Sequence, residues 1–300
     1  MPINSGSFAK ALWPGVNSWY GQTYGEHKTE YTDLFATEKS RRAFEEDMGT
    51  SWFGLAAVKP EGSSVTYDTA QQGYLTRYTH VTYGLGFNIT REMVDDDLYD
   101  VVGKKRAQAL AFSMRQTKEL IAADVYNNAF GTFVVADLNP LLSLAHPTIG
   151  GSTFDNITTA ATLSEASLED LSILVMNATN DRGLAIPIQC NSLIVPPDLV
   201  FEADRILNSP LRVGTADNDL NALKNMGKFS GGVKVNHYLT DTSAYFTRTN
   251  VQDGMKHFER RSDDFSMDND FDTDNAKYKA TGRYSFGCTD PRGLYGNAGV

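Results

Sequence analysis

The hydrophobic period of this chain changes at residue 90, and that change constrains the fold more than any other feature of the sequence. Residues 61–89 are rich in Thr, Tyr and Gly. Near their end Val81, Tyr83, Leu85, Phe87 and Ile89 alternate with His80, Thr82, Gly84, Gly86 and Asn88. That is the two-residue period of a strand with one buried face. Residues 90–130 contain no proline and favour helix. Thr90 offers an N-cap oxygen, Glu92 and Asp95-Asp96-Asp97 place negative charge in the first turns, and Lys104-Lys105-Arg106 follow further along. Ala107, Leu110, Ala111, Met114, Ile121, Val125 and Ala129 then mark a narrow apolar stripe at helical spacing. Unbroken, this helix would be about 60 Å long, several times the ordinary length, with Gly103 as the place for a kink or restart. A compact catalytic core rarely needs such a rod.

The chain of 300 residues can bury a large core as one large or two ordinary domains. No run approaches the apolar length needed to cross a bilayer. Residues 1–7 lack the basic start and apolar core of a signal peptide. Cys190 and Cys288 are the only cysteines and lie far apart, which argues against a disulfide scaffold or zinc site and fits a reducing compartment. The formal charge of −10 argues against a protein whose main task is gripping nucleic acid, although proximity to nucleic acid remains open.

Residues 1–48 are irregular, with Phe8, Trp13, Trp19, Tyr20 and Tyr24 separated by Gly, Pro and Ser. Such a segment cannot bury its aromatics within itself. It is either a strap on its own domain or an arm across a neighbouring molecule. Residues 49–60 return to apolar character, Pro60-Glu61-Gly62-Ser63 reads as a turn, and Gly73 sits between Val65-Thr66-Tyr67 and residues 74–83. The pattern predicts a long two-stranded loop with a polar tip. Downstream, Ser164 can cap a second helix carrying Leu168, Leu171, Leu174, Val175 and Ala178 on its apolar side. Leu193-Ile194-Val195 reads as a fully buried strand stopped by Pro196-Pro197, and Leu199, Val200, Ala203, Ile206 and Leu207 mark a third helix. Residues 208–232 read as a long exposed loop, and strand-like sequence resumes at Val233 and continues to the end.

No catalytic constellation emerges. His27, His80, His146, His237 and His257 are scattered, each more simply a surface or packing residue than a catalyst. There is no GxSxG, P-loop or GxGxxG, and Gly84-Leu85-Gly86 lacks a third glycine. The run Asp268-Asn269-Asp270-Phe271-Asp272-Thr273-Asp274 begins like a calcium loop, but Thr273 replaces the required glycine and Lys279 the closing glutamate. A hairpin explains more of it. Phe265, Met267, Asn269 and Phe271 alternate with acids and Ser266, whereas Tyr278, Ala280, Gly282, Tyr284 and Phe286 alternate with Lys277, Lys279, Thr281, Arg283 and Ser285. A two-residue turn at Asp274-Asn275 would set Asp272 opposite Lys277, Phe271 opposite Tyr278 and Asp270 opposite Lys279. Lys104-Lys105-Arg106 reads as a solvated or salt-bridged helix face rather than a nucleic-acid patch.

Several stretches resemble a known family. They are Phe87-Asn88-Ile89-Thr90-Arg91-Glu92-Met93-Val94-Asp95-Asp96-Asp97-Leu98, the ending Lys277-Tyr278-Lys279-Ala280-Thr281-Gly282-Arg283-Tyr284-Ser285-Phe286-Gly287 with Asp290-Pro291-Arg292-Gly293, and the segments Leu193-Ile194-Val195-Pro196-Pro197 and Val235-Asn236-His237-Tyr238-Leu239-Thr240-Asp241. Together with the order of elements, they make the chain similar over nearly its whole length to the major capsid protein of tailed bacteriophages, the Hong Kong 97-type capsid fold. The resemblance implies an α+β chain with an N-terminal arm (1–48), an extended loop region (49–86) and a peripheral domain (87–135) containing a spine helix. An inserted axial α/β domain (136–244) and returning peripheral strands (245–300) would follow. It implies a structural shell subunit forming hexamers and pentamers around double-stranded DNA, with no enzymatic activity, no cofactor and no membrane. Trp13, Trp19, Tyr20, Tyr67, Tyr74, Arg77 and Tyr78 become candidate intersubunit contacts. Implied partners are further copies of itself, a separate scaffolding protein, because the arm starts at residue 1, a portal protein and a decoration protein. The setting is the virion, assembled in the host bacterial cytoplasm. Some relatives crosslink from a lysine in the extended loop, and this chain has none between Lys59 and Lys104. An encapsulin-type protein compartment is the nearest alternative. A soluble enzyme is a distant one, lacking any convergent polar site in the sequence. Because the acidic run lacks the turn glycine and the closing glutamate, dialysis against a chelator is expected to leave assembly and melting temperature unchanged. Loss of particles that calcium restores would contradict this.

Overall fold

A computed structural model describes residues 28–300 except 91, 94–98, 213–218 and 270–274, together with Ser18, Tyr20, Gly21 and Gly25. A single turn of helix, α1 (Tyr31–Leu34), leads into the short strand β1 (Ala36–Lys39). The extended stretch that follows is divided differently from the sequence expectation. β2 (Phe44–Thr50) pairs antiparallel with β3 (Gln72–Thr79), so the first limb of the ribbon lies upstream of residue 49, and Val65-Thr66-Tyr67 belong to an irregular connection. Gly73 is not at the tip. It lies within β3, where a Cβ would come within 2.8 Å of the Gly49 carbonyl oxygen and 2.7 Å of the Ile149 side chain, so only glycine fits.

His80 interrupts the run, its ring held between Ser285 Oγ at 2.9 Å and Ser40 Oγ at 3.0 Å, and β4 (Val81–Ile89) then enters a different sheet. Only Ile89 of the alternating set is fully buried, while Val81 and Leu85 remain about half exposed. The expected buried face is therefore confined to the strand's last turn of contact, because β4 is a sheet edge. Thr90 Oγ1 accepts from the Met93 N–H at 3.4 Å, as expected of a cap, whereas Asp95-Asp96-Asp97 lie outside the described residues.

The long helix α2 spans Tyr99–Asn127, 29 residues, or about 43 Å. Its C-terminal end comes before the expected Phe130, since a turn takes over at Asn128. Two short strands, β5 (His146–Pro147) and β6 (Thr153–Phe154), follow. Helix α3 (Glu165–Met176) starts where predicted: Ser164 accepts from the Ser167 N–H, and Ser167 Oγ returns the bond to the Ser164 N–H. Strand β7 (Cys190–Val195) carries Leu193, Ile194 and Val195 at zero exposure, each contributing about 1.5–3 kcal/mol by burial. Helix α4 (Val200–Asn208) buries Ala203, Ile206 and Leu207. The region expected as loop contains a small helix, α5 (Ala222–Asn225), capped by Asn221. Strands β8 (Val233–Val235), β9 (Tyr245–Thr249), β10 (Met255–Asn269), β11 (Ala276–Cys288) and β12 (Leu294–Asn297) complete the chain.

The strands form one four-stranded sheet in the order β1-β10-β11-β4 and another in the order β12-β9-β7-β8, with β2-β3 and β5-β6 as separate ribbons. Strands β9 and β12 come from beyond residue 244, so the second sheet is closed by the C-terminal part of the chain. α2 joins the two sheets. Ala107, Leu110, Ala111 and Met114 pack with Phe265, Tyr278 and Ala280 of the first sheet. Further along, Ala122, Val125 and Tyr126 pack with Ile194, Phe246 and Leu294 of the second.

Antiparallel pairing of β10 with β11 is as expected, but the register is not. Met267, not Phe271, stands opposite Tyr278, and Ser266, not Asp270, stands opposite Lys279. The shift is four residues, an even number, so every side chain keeps its face. The last paired positions are Asn269 and Ala276, and the expected turn residue Asp274, with Asp270, Phe271 and Asp272, lies outside the described residues.

Between its two apolar ends α2 buries charge. Lys118 donates to Glu259 Oε1 at 3.0 Å and lies over the Tyr31 and Tyr284 rings at 4.7 and 5.1 Å. Glu119 accepts from the Glu30 and Tyr31 N–H groups at 3.0 and 2.8 Å, satisfying the start of α1. Burial raises the Glu119 pKa, and those two N–H donors oppose the rise. His257 stacks on Phe286 at 4.3 Å; burial, aided by the Lys118 charge, lowers its pKa to about 3, so it is neutral at physiological pH. Replacing Lys118 by Met leaves Glu259 unpaired and is expected to cost about 3 kcal/mol in urea denaturation of the unassembled subunit. The double change Lys118→Met/Glu259→Leu is expected to recover most of that loss, and equal losses in both variants would show that the pairing does not matter.

Candidate intersubunit surface

The β2-β3 ribbon has its polarity reversed relative to an ordinary surface hairpin. In β2 the acidic residues Glu45 and Asp47 turn toward the body of the protein. Asp47 Oδ2 accepts from Lys256 Nζ at 2.6 Å and from Thr289 Oγ1 at 3.0 Å, and Glu45 Oε1 accepts from Ser40 Oγ at 2.7 Å. Phe44 and Met48 consequently face outward, opposite Thr79 and Leu75 of β3. The Arg77 guanidinium covers the Phe44 ring at 3.8 Å and approaches Glu46 at 3.9 Å. Beyond the ribbon, the connection 51–71 continues the apolar display. Trp52, Phe53 and Val65 are exposed, with Leu55 at 83%, Val58 at 94% and Tyr67 at 92% exposure. Scattered apolar residues are ordinary on a surface; ten on one ribbon and its connection are not.

The root of this connection is fastened to its own chain. Asp68 accepts from the Gly54 and Thr69 N–H groups, each at 2.8 Å, and those bonds, ahead of the nearby Arg182 charge, lower its pKa. Arg182, from the turn before β7, donates to the Trp52 carbonyl at 3.2 Å, the Thr69 carbonyl at 3.1 Å and Asp68 at 3.4 Å. The loop thus leaves the body at a fixed place while its side chains point away from it.

Beside the root lies an open cleft of about 1080 Å³ lined by Trp52, Phe53, Tyr74, Ile149 and Val251. Its polar groups are tied to one another: Asp137 with His146 Nδ1 at 2.6 Å, and Arg292 with the Thr179 carbonyl at 3.1 Å. His146 Nε2 is buried and, among the described residues, has no hydrogen-bond partner. Among the described residues no three His, Cys, Asp or Glu side chains converge as a metal site. Lys104, Lys105 and Arg106 lie on the exposed side of α2.

Of the candidate contact residues, Tyr67, Tyr74 and Arg77 lie on the exposed ribbon and its connection. Trp13 and Trp19 lie outside the described residues. Tyr20 and Tyr78 are spoken for within the chain. Tyr20 stacks on Phe265 at 4.6 Å and is buried, as a strap residue would be. Tyr78 is 3% exposed, packs on Phe258 at 4.8 Å and shares a hydrogen bond with Thr289 Oγ1 at 2.6 Å; burial raises its pKa. Sequence reasoning passed over Trp52, Phe53, Leu55 and Val58. Their apolar run was visible, but nothing in it has a strand or helix period that would mark one face as outward.

A sequence profile described as phage capsid protein matches residues 73–297, three quarters of the chain. This chain belongs to the phage capsid protein family. The fold agrees. The capsid of Myoviridae phage XM1 aligns with a TM-score of 0.55 at 10% identity, covering 92% of this chain and 94% of that one. A chain from Mycobacterium phage Che8 aligns at 0.52 and 13% identity over 90% and 91%. The virus-like particle from Pyrococcus furiosus aligns at 0.53 and 11% identity over 94% and 97%. No match was found among curated protein sequences. The capsid protein is a structural component of the phage head shell, with the mixed helix and strand architecture of tailed-phage capsids. No described helix is long and apolar enough to cross a membrane.

The two tyrosine environments separate folding from surface. Tyr78→Ala in the capsid protein is expected to destabilise the subunit by about 3–5 kcal/mol, as for large buried side chains. Tyr67→Ala is expected to leave subunit stability within about 0.5 kcal/mol. Chemical denaturation of both variants checks this, and a Tyr67→Ala variant as unstable as Tyr78→Ala would contradict it.

Proposed function

We propose that the capsid protein assembles into hexamers and pentamers of an icosahedral shell around double-stranded DNA. In that shell the β2-β3 ribbon and the connection 51–71 act as the extended loop lying on an adjacent copy. The observation that supports this most is the reversed polarity of the ribbon. Glu45 and Asp47 are used up on the chain's own cations and hydroxyls, while Phe44, Met48, Trp52, Phe53 and Leu75 face outward. A lone monomer gains nothing from that arrangement. An obligate assembly does, because its contacts are rich in aromatic and aliphatic side chains. In this reading Tyr67, Tyr74 and Arg77 are contact residues, 87–135 and 245–300 supply the peripheral domain around α2, β10 and β11, and 136–244 supply the axial domain, whose sheet β9 and β12 complete from the C-terminal segment. Upstream of the ribbon, the arm fixes Tyr20 on its own chain, and Trp13 and Trp19 are further proposed contact residues. The protein carries no catalytic activity, assembles in the host cytoplasm, and works with a scaffolding protein, a portal protein and a decoration protein.

The likeness to a virus-like particle keeps a compartment holding protein cargo as the second reading, and the nucleic acid content of purified particles separates the two. The loop is tested directly by replacing residues 53–67 with a short Gly-Ser linker. That span keeps β3, which a deletion reaching residue 77 would cut, and keeps the Asp68 and Arg182 fastening. The expected result is a folded, soluble subunit by circular dichroism and melting that forms no closed shells by sedimentation and electron microscopy. Contacts repeat throughout a shell, so about 1.4 kcal/mol lost at each changes each association tenfold. Normal particles from this variant would remove the loop from its role.

A further inference from the structure

Five arginines meet on one patch of a chain whose net charge is −10. The ladder of β1 on β10 runs past Lys39, because the Ser40 N–H donates to the Glu259 carbonyl at 3.0 Å, and this brings Arg41 and Arg42 beside Arg260 and Arg261. On the other flank Arg261 stands directly opposite Arg283 of β11. Arg283 donates to the His80 carbonyl at 3.3 Å and to the Ala43 carbonyl at 3.4 Å, which ties the bend after Arg42 to the same place. β10 bulges between Glu259 and Arg261, and a bulge re-aims side chains that would otherwise alternate between faces. Arg41, Arg42, Arg260 and Arg261 are exposed, and Arg283 is half-buried.

Like charges opposite each other across a ladder repel, and the chain does little to offset this. Arg261 Nη2 donates to the Thr281 hydroxyl at 2.9 Å. Among the described residues only Arg42 has a carboxylate in ion-pair contact, Glu45 at 3.8 Å. Neighbouring acids are engaged elsewhere: Glu259 with Lys118, and Asp47 with Lys256. His80, between these elements, adds no negative charge; burial and the Arg283 and Arg260 charges lower its pKa. We propose that this patch holds the phosphodiester backbone of the enclosed double-stranded DNA, an inference that rests on the shell reading. The planar guanidinium fork matches two phosphate oxygens at once. Three adjacent strands about 4.8 Å apart spread the arginines over about 10 Å, and duplex DNA carries one negative charge per about 1.7 Å of its axis. One patch therefore faces several phosphates. The charge of −10 does not forbid the contact, because charges more than about 10 Å away are screened at about 0.1 M salt. It keeps the rest of the surface from adhering. Carboxylates of a second copy are the less favoured occupant: on one face of a strand they stand about 7 Å apart, a sparser line of charge than five clustered arginines accommodate.

The test titrates the unassembled subunit with a short double-stranded DNA oligonucleotide, by fluorescence anisotropy, over a series of salt concentrations. The parent is compared with Arg260→Gln/Arg261→Gln and with Lys104→Gln/Lys105→Gln, which removes the same charge from the exposed side of α2. Arg41→Gln/Arg42→Gln, between β1 and β2, repeats the arginine test without touching the β10-β11 ladder. Circular dichroism checks that each variant is folded. The parent is expected to bind with an affinity that falls steeply with salt. Each arginine pair is expected to weaken binding about tenfold at low salt and to reduce the slope of log K against log salt by about two. The lysine pair is expected to leave that slope unchanged, and all variants are expected to form particles. A parent that does not bind the duplex at low salt would overturn the inference while leaving the shell reading intact. So would equal losses in the lysine and arginine variants. Folded arginine variants that form no particles would assign the patch to a contact between copies instead. A parent that forms no particles would count against the shell reading, whatever the titration gives.

Discussion

Everything in this protein hangs on the burial of one face of α2. That face is apolar at both ends and charged in the middle, so neither sheet alone can satisfy it. The first sheet receives Leu110 and Met114, and the region under the second receives Val125 and Tyr126. The middle requires partners, which come from elsewhere: Glu259 from β10 and the first N–H groups of α1. A buried ammonium or carboxylate left without them would cost several kcal/mol. The charges therefore fix which strand and which turn of the incoming chain lie against the helix. The Tyr126 hydroxyl, donating to the Leu34 carbonyl at 2.9 Å, holds the other end of α1.

With the frame fixed in this way, the β2-β3 ribbon is left as a projection. It is attached through its acids, Asp47 to Lys256 and Glu45 to Ser40, and its connection is attached through Arg182. Polar attachment on the inner side is what allows the outer side to be apolar. A ribbon of two strands has little stability of its own, so its anchoring to the frame is what makes its outward face a defined surface. Fold and assembly thus meet in a few side chains whose charges are consumed inward.

Local signals in the sequence were sufficient where the physics is local. The cap at Ser164, the buried run Leu193-Ile194-Val195 and the stripe of α2 were legible because capping and period involve neighbours only. The β10-β11 pairing was legible, but its register was not, since a slip of four residues preserves every face and still leaves an acid, Asp268, opposite Lys277. The pairing of β2 with β3 was missed because β2 is inverted: a strand reading Phe-Glu-Glu-Asp-Met gives no hint that Glu45 and Asp47 are its inner side. Tyr20 and Tyr78 were grouped with Tyr67 and Tyr74 because aromatic identity does not reveal burial, which is decided by Phe265 and Phe258, both far away in sequence. Arg182 carried no signal at all. Its role exists only once the turn before β7 is brought beside Trp52 and Thr69.

The central claim is that the outward apolar face of the ribbon and its connection is covered by a second copy of the chain in a closed shell. The most direct measurement is a cryo-electron microscopy reconstruction of the particles formed by the full chain. The account predicts closed shells in which Trp52, Phe53, Leu55 and Tyr67 are buried against a neighbouring subunit. Shells in which those side chains face solvent, or a chain that remains monomeric under assembly conditions, would contradict it.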